Sequence, residues 1–167
     1  MLSRYAVLAV SAALAWSGPA AASVQPFSGT IHNVTSPGAP GGRCGAPPVL
    51  TLVFTPESTI GTSNLGAFAV TASHCVTPTP PVTNYGGGLF SWAFEDGGVL
   101  EGTYSGTVTL IPGQPAQTVQ DYVVTGGTGR FAGATGSFTV ERLYDPAAGT
   151  TSGSFAGVIS SPGAGRA

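Results

Sequence analysis

The stretch Leu89-Phe90-Ser91-Trp92-Ala93-Phe94-Glu95-Asp96-Gly97-Gly98-Val99-Leu100-Glu101-Gly102-Thr103-Tyr104 decides the fold class. Phe90, Trp92 and Phe94 fall on one face of an extended chain, and Ser91, Ala93 and Glu95 on the other, the period of two that marks a strand. Asp96-Gly97-Gly98 supplies a tight turn, because Gly reaches positive φ without a Cβ clash. The alternation resumes beyond it, with Leu100, Tyr104, Val108 and Leu110 opposite Glu101, Thr103, Ser105, Thr107 and Thr109. This is a β-hairpin.

Working outward, residues 27–34, 49–54, 65–76, 119–125, 137–144 and 152–160 read as further strands. Pro- and Gly-rich segments at 36–48 and 78–88 read as loops, and 56–60, 112–115 and 145–149 as turns. No segment forms a helix long enough to cross between parallel strands. About eight strands at nearly regular spacing predict an all-β antiparallel barrel or sandwich, and we expect the eight-stranded barrel, which closes its own edges. Its interior is just wide enough for side chains or one small ligand. Gly102, Gly106 and Gly157 sit inside strands, where they would permit the tight coiling of a small barrel.

Composition excludes several functions. The 167 residues include 26 Gly and 14 Pro, only 7% are charged, and no Lys is present. A lysine Schiff base, a pyridoxal-phosphate anchor and a P-loop lysine are therefore impossible. Five Arg and a net charge of −2 do not make a phosphate-tracking surface, so no nucleic-acid partner is expected. The Ala/Gly/Arg bias without Lys fits a GC-rich bacterial genome.

Residues 1–22 read as a secretory signal peptide. Arg4 gives the positive start, 5–16 is apolar but too short to span a bilayer, and Ala20-Ala21-Ala22 fits a cleavage site before Ser23. No later segment is apolar enough to span, so no membrane partner is expected after cleavage. The expected product is an exported domain over 23–161, periplasmic or extracellular, with a frayed tail at 162–167. Cys44 and Cys75, an even count in an oxidising compartment, are expected to form a disulfide. The competing reading is a metal site of Cys44, Cys75, His74 and His32. It fits poorly, because adjacent His74 and Cys75 on a strand point to opposite faces.

The run Gly126-Gly127-Thr128-Gly129-Arg130-Phe131-Ala132-Gly133-Ala134-Thr135-Gly136 superficially matches a dinucleotide fingerprint. That chemistry needs a helix directly after the glycines, to hold the pyrophosphate. Here Ser137-Phe138-Thr139-Val140 alternates as a strand, so the nucleotide reading is rejected and no cofactor is expected. The same run resembles the G-G-T-G-x-F-x-x-A-x-G segment of dirigent proteins and of the wider group sharing the allene oxide cyclase barrel. The stretches 96–107 and 65–75 look like exported bacterial members of that group. The resemblance implies an eight-stranded antiparallel barrel, in which Gly126, Gly127, Gly129, Gly133 and Gly136 shape a tight loop and Phe131 plugs one end. It also implies, for dirigent proteins, guided radical coupling or elimination with acidic residues and an Arg inside the barrel. No motif carries those residues onto positions here.

Other polar residues have two readings. If the Phe138–Val140 face is the inner one, Arg142 points inside with Tyr144; otherwise Glu141 does. Exposure near the rim is the commoner fate of such charges. Phe90, Trp92, Phe94 and Tyr104 could form a stacking platform, although such a stripe is more often core. The candidate ligand-lining residues are thus Trp92, Phe94, Tyr104 and Arg142. No catalytic or metal residue is assigned. The expected role is a non-enzymatic binding or structural module, with a cell-surface component as one partner class. The alternative is a dirigent- or cyclase-type protein that binds an apolar or phenolic molecule inside the barrel.

Overall fold

The computed structural model describes residues 23–34, 39–40, 42–145 and 147–160. The leader expected over 1–22 and the tail expected at 162–167 lie outside the described residues. Ten strands follow in chain order: β1 Val24–Val34, β2 Ala39–Pro40, β3 Leu50–Phe54, β4 Thr59–Ser63, β5 Gly66–Val76, β6 Val82–Phe94, β7 Val99–Thr109, β8 Ala116–Thr128, β9 Thr135–Asp145 and β10 Thr150–Ser160. Short 3-10 turns occupy Gly42–Cys44 and Gly129–Phe131. No helix among the described residues is long and apolar enough to cross a membrane.

The sheet closes on itself. The antiparallel ring runs β1, β4, β5, β6, β7, β8, β9, β10 and back to β1. The eight-stranded antiparallel barrel expected from the alternation is therefore the fold. One stave is broken. β4 pairs with Gly66–Ala69 of β5, whereas β3 pairs with Ala72–Val76 on the same edge. β1 bonds to β4 and not to β3, and the free edge of β3 takes only the two-residue β2. The wall is thus continuous at one end and split at the other.

Two segments correct the sequence reading. Residues 59–60, expected in a turn, open β4. Its inward positions are Thr59 and Gly61, while Ile60 points outward and is exposed, so no apolar inner face marks the strand. Residues 82–88, expected in a loop, begin β6. Thr83 and Tyr85 point inward there, and the pairing shifts between Tyr85 and Gly88, so a bulge hides the periodicity. The glycine run is also shorter than expected as a loop, since Gly126 and Gly127 extend β8.

Inside, the barrel is graded along its axis. The half nearest the glycine turn is solid with aromatic rings. Trp92 is fully buried and stacks on Phe68 with centroids 4.3 Å apart. Phe27, Phe138 and Phe155 surround it at 5.0–5.9 Å. Phe131, also fully buried, plugs that end against Phe94 at 4.7 Å. Arg130 lies over both rings, pairs with Asp96 at 3.0 Å and donates to the Leu65 carbonyl, tying the plug to two neighbouring turns.

Glycines let adjacent staves approach closely. A Cβ on Gly157 would lie 2.2 Å from the Ser137 carbonyl oxygen and 2.4 Å from Phe138 Cα, both backbone atoms that cannot swing away. Gly126 has open space instead. Gly157→Ala should lose about 2 kcal/mol, the usual scale of overpacking. Gly126→Ala should stay within about 0.5 kcal/mol of the parent. Urea unfolding of the two variants side by side measures this.

Candidate functional site

The split end of the barrel opens into a cavity of about 330 Å³. Its wall on one side is β3, through Leu50, Leu52 and Phe54. The segment leading into β3 is held by the Cys44–Cys75 disulfide, whose Cα atoms are 5.4 Å apart. Arg43 adds a second tie, donating from Nε to Ser73 Oγ at 2.9 Å and from a terminal nitrogen to the Ser73 carbonyl at 2.7 Å. The disulfide expected from the cysteine count is therefore present, and it fastens a cavity wall. His32 lies on the outer surface, bonded to Ser152 at 2.7 Å, while His74 points inward. Among the described residues no three His, Cys, Asp or Glu side chains converge as a metal-binding set.

The floor and far walls are polar, and each residue gets there by strand alternation. Phe138, Val140 and Arg142 occupy successive inward positions of β9. Val70, Ala72 and His74 do so on β5, and Thr118, Gln120 and Tyr122 on β8. The inner face thus passes from apolar to polar as each strand nears the mouth. Arg142 is only 7% exposed, so the Phe138–Val140 face is the inner one and Glu141 points outward. The rim exposure usual for such a charge is not its fate here.

The guanidinium of Arg142 donates from one terminal nitrogen to Asn33 Oδ1 at 3.1 Å and from the other to Tyr122 Oη at 3.4 Å. His74 Nδ1 is 2.9 Å from Tyr104 Oη, and its ring stacks on Tyr85 at 4.2 Å. Tyr104 stacks on Tyr122 at 4.7 Å, which joins this polar end to the aromatic half. Of the buried polar atoms without a close hydrogen-bond partner among the described residues, Tyr85 Oη, Gln120 Oε1 and Arg142 Nε sit at this end, with the Tyr85 hydroxyl in reach of the Gln120 side chain. All three belong to residues that line the cavity.

Of the four ligand-lining candidates, Arg142 faces the cavity. Tyr104 lies beneath it as the partner of His74. Trp92 and Phe94 lie in the packed half, where Phe90, Trp92 and Phe94 act as core. The glycines and Phe131 are at the opposite, closed end. Asn33, His74, Tyr85 and Gln120 are lining residues that sequence reasoning missed. The usable signal was positional: counting by two from each apolar inward position toward the mouth reaches His74, Gln120 and Arg142.

Burial sets the titration behaviour. It pushes the hydroxyls of Tyr85, Tyr104 and Tyr122 above the ordinary phenol value. Burial, with Arg142 and Arg43 nearby, lowers His74 to about 4. His74 is therefore neutral at pH 7.

Among solved structures, the chain is similar to the pterocarpan synthase dirigent protein GePTS1, with a TM-score of 0.56 at 16% identity over 92% of this chain and 99% of that one. That likeness is one of fold, and it agrees with the resemblance carried by the glycine run. No protein-family model matches the sequence, and no curated protein matches it.

The His74 shift has a measurable consequence. Its folded pKa lies below the ordinary value of 6.5, so the unfolded chain takes up a proton first as pH falls. Stability should be full above pH 6.5 and decline toward pH 4, by on the order of 3 kcal/mol at most. His74→Gln should flatten the part of the slope between pH 6.5 and 4. Urea midpoints across pH 4–8 for both proteins test this.

Proposed function

We propose that this protein is a non-catalytic binding module that takes one small aromatic molecule in the mouth of its barrel. The observation that carries the reading is the convergence of buried polar side chains from five strands, Asn33, His74, Tyr85, Gln120 and Arg142, on one cavity with aromatic walls, with Arg142 Nε left unpartnered. Buried polar groups are ordinarily satisfied, and a shaped hollow with a few convergent polar groups is the usual form of a small-molecule site. Tyr85, His74 and Phe54 offer ring faces and edges to a flat ligand. A volume of about 330 Å³ is at the small end for such sites, enough for a ligand of one or two rings.

Binding is favoured over catalysis by the acid–base complement. General acids and bases work best with a pKa near the operating pH. His74 is shifted well below neutrality and the three tyrosines are shifted upward, so the groups at this site move away from proton transfer at pH 7. The dirigent-like fold suits this reading, because a closed barrel with one open end can hold a molecule in a set orientation.

The protein is further read as an exported bacterial product, cleaved before Ser23 and acting in the periplasm or outside the cell. The composition of residues 1–22 and the Cys44–Cys75 disulfide support that location.

A panel of neutral phenols, aryl alcohols and aryl amides tests the binding reading. Methyl resonances of Leu52 and Val108 should shift with at least one of these compounds. Leu52→Trp, which fills the cavity, should lower that affinity at least about tenfold while leaving the urea midpoint within about 1 kcal/mol. Unmoved resonances across the panel, or equal binding by the filled variant, would reject the mouth as a binding site.

A further inference from the structure

The charges of this molecule are distributed unevenly between inside and outside. Its seven side-chain carboxylates are Glu57, Glu95, Asp96, Glu101, Asp121, Glu141 and Asp145, and every one is exposed. Arg142 is buried, and none of the seven pairs with it. Both of its hydrogen bonds go to neutral oxygens, and its Nε has no partner. A guanidinium withdrawn from bulk water is normally compensated by an opposite charge, since desolvation without a counter-ion is costly. Among the described residues, a cation thus lines the cavity with no anion beside it.

The neighbours of Arg142 do not supply the missing charge. Tyr85, Tyr104 and Tyr122 are held in their neutral phenol forms by burial, and His74 carries no negative charge in any state. The guanidinium is the one group at the site whose charge persists at all working pH values. Its planar fork matches a carboxylate in two parallel hydrogen bonds, and Arg142 lines the cavity that a ligand would enter. The aromatic walls, on β3, β5 and β6, line the same cavity.

We infer that the ligand of the mouth cavity is an aromatic carboxylate, its acid group seated on Arg142 and its ring among Phe54, His74 and Tyr85. This inference rests on the binding reading above and adds the charge and orientation of the ligand. The carboxylate is turned toward β8 and β9, where Arg142 donates to the buried Tyr122, and the ring toward β3, β5 and β6. Asn33, whose Oδ1 accepts from Arg142, holds the fork in place for that contact as a positioning residue.

The probes are trans-cinnamate and its neutral isostere trans-cinnamamide, titrated into the full-length mature protein and followed by the Leu52 and Val108 methyl resonances. Cinnamate should bind at least about tenfold more tightly than cinnamamide, the scale of a hydrogen bond gained to a charged group. Two variants separate charge from shape. Arg142→Met replaces the buried cation with an apolar chain, a change that buried charges often tolerate. Asn33→Asp installs an internal carboxylate 3 Å from the guanidinium, where it supplies the counter-charge itself. Each should abolish the preference for the acid while cinnamamide still binds. Equal affinity for acid and amide in the parent protein would overturn the carboxylate assignment and leave the binding reading intact. A preference that survives both variants would overturn the role of Arg142. Chloride or phosphate displacing cinnamate at equal concentration would reduce the site to a general anion trap and overturn the aromatic specificity. Failure of both probes, together with the neutral panel, would remove the binding reading along with this inference.

Discussion

Trp92 makes ring contacts with six other aromatic residues, Phe27, Phe68, Phe90, Tyr122, Phe138 and Phe155, at centroid distances of 4.3–5.9 Å. Those rings come from β1, β5, β6, β8, β9 and β10, so one indole is the hub on which six staves converge. Each such pair contributes about 0.5–1.5 kcal/mol beyond its buried area. The result is a barrel that is solid for half its length. Because that half is rigid, the other half can hold buried polar groups without collapsing onto them.

The two ends divide the work. At the closed end, Phe131, Arg130 and Asp96 seal the barrel with a plug, a cation over two rings and an ion pair. At the open end the broken β3–β4 stave leaves the wall split, and the disulfide with Arg43 restrains what the missing β1–β3 pairing does not. The stacked series Tyr104, Tyr122 and Phe138 runs between the regions, which couples the geometry of the Arg142 and His74 neighbourhood to the packed core. A polar site on this framework is positioned by strands and not by loops.

Much of the architecture was legible from alternation alone. Phe90, Trp92 and Phe94 against Ser91, Ala93 and Glu95 carry an unambiguous inner face, and the strand after the glycine run excludes a nucleotide fold. Residues 59–63 were not legible, because Thr59 and Gly61 give the inner face no apolar mark. The start of β6 was hidden by the bulge at Gly86-Gly87, which interrupts the period between Tyr85 and Gly88. The site was harder still. His74, Gln120 and Arg142 look like ordinary polar strand residues, and their burial depends on which partner strands close over them. Sequence left Arg142 and Glu141 as equal alternatives in direction; closure of β8 and β10 on either side of β9 decided between them.

The pairing of β1 with β10 extends over all eleven positions, from Val24 opposite Ser160 to Val34 opposite Thr150. The first strand of the ring is thus closed by the last strand described, about 120 residues further along the chain. Until Thr150–Ser160 docks on Val24–Val34, the cylinder has two raw margins and no circumference. Contacts this distant in sequence make formation slow, because the intervening chain must be gathered before they can reward it. A polypeptide with that wiring becomes a vessel only when its two most distant strands meet.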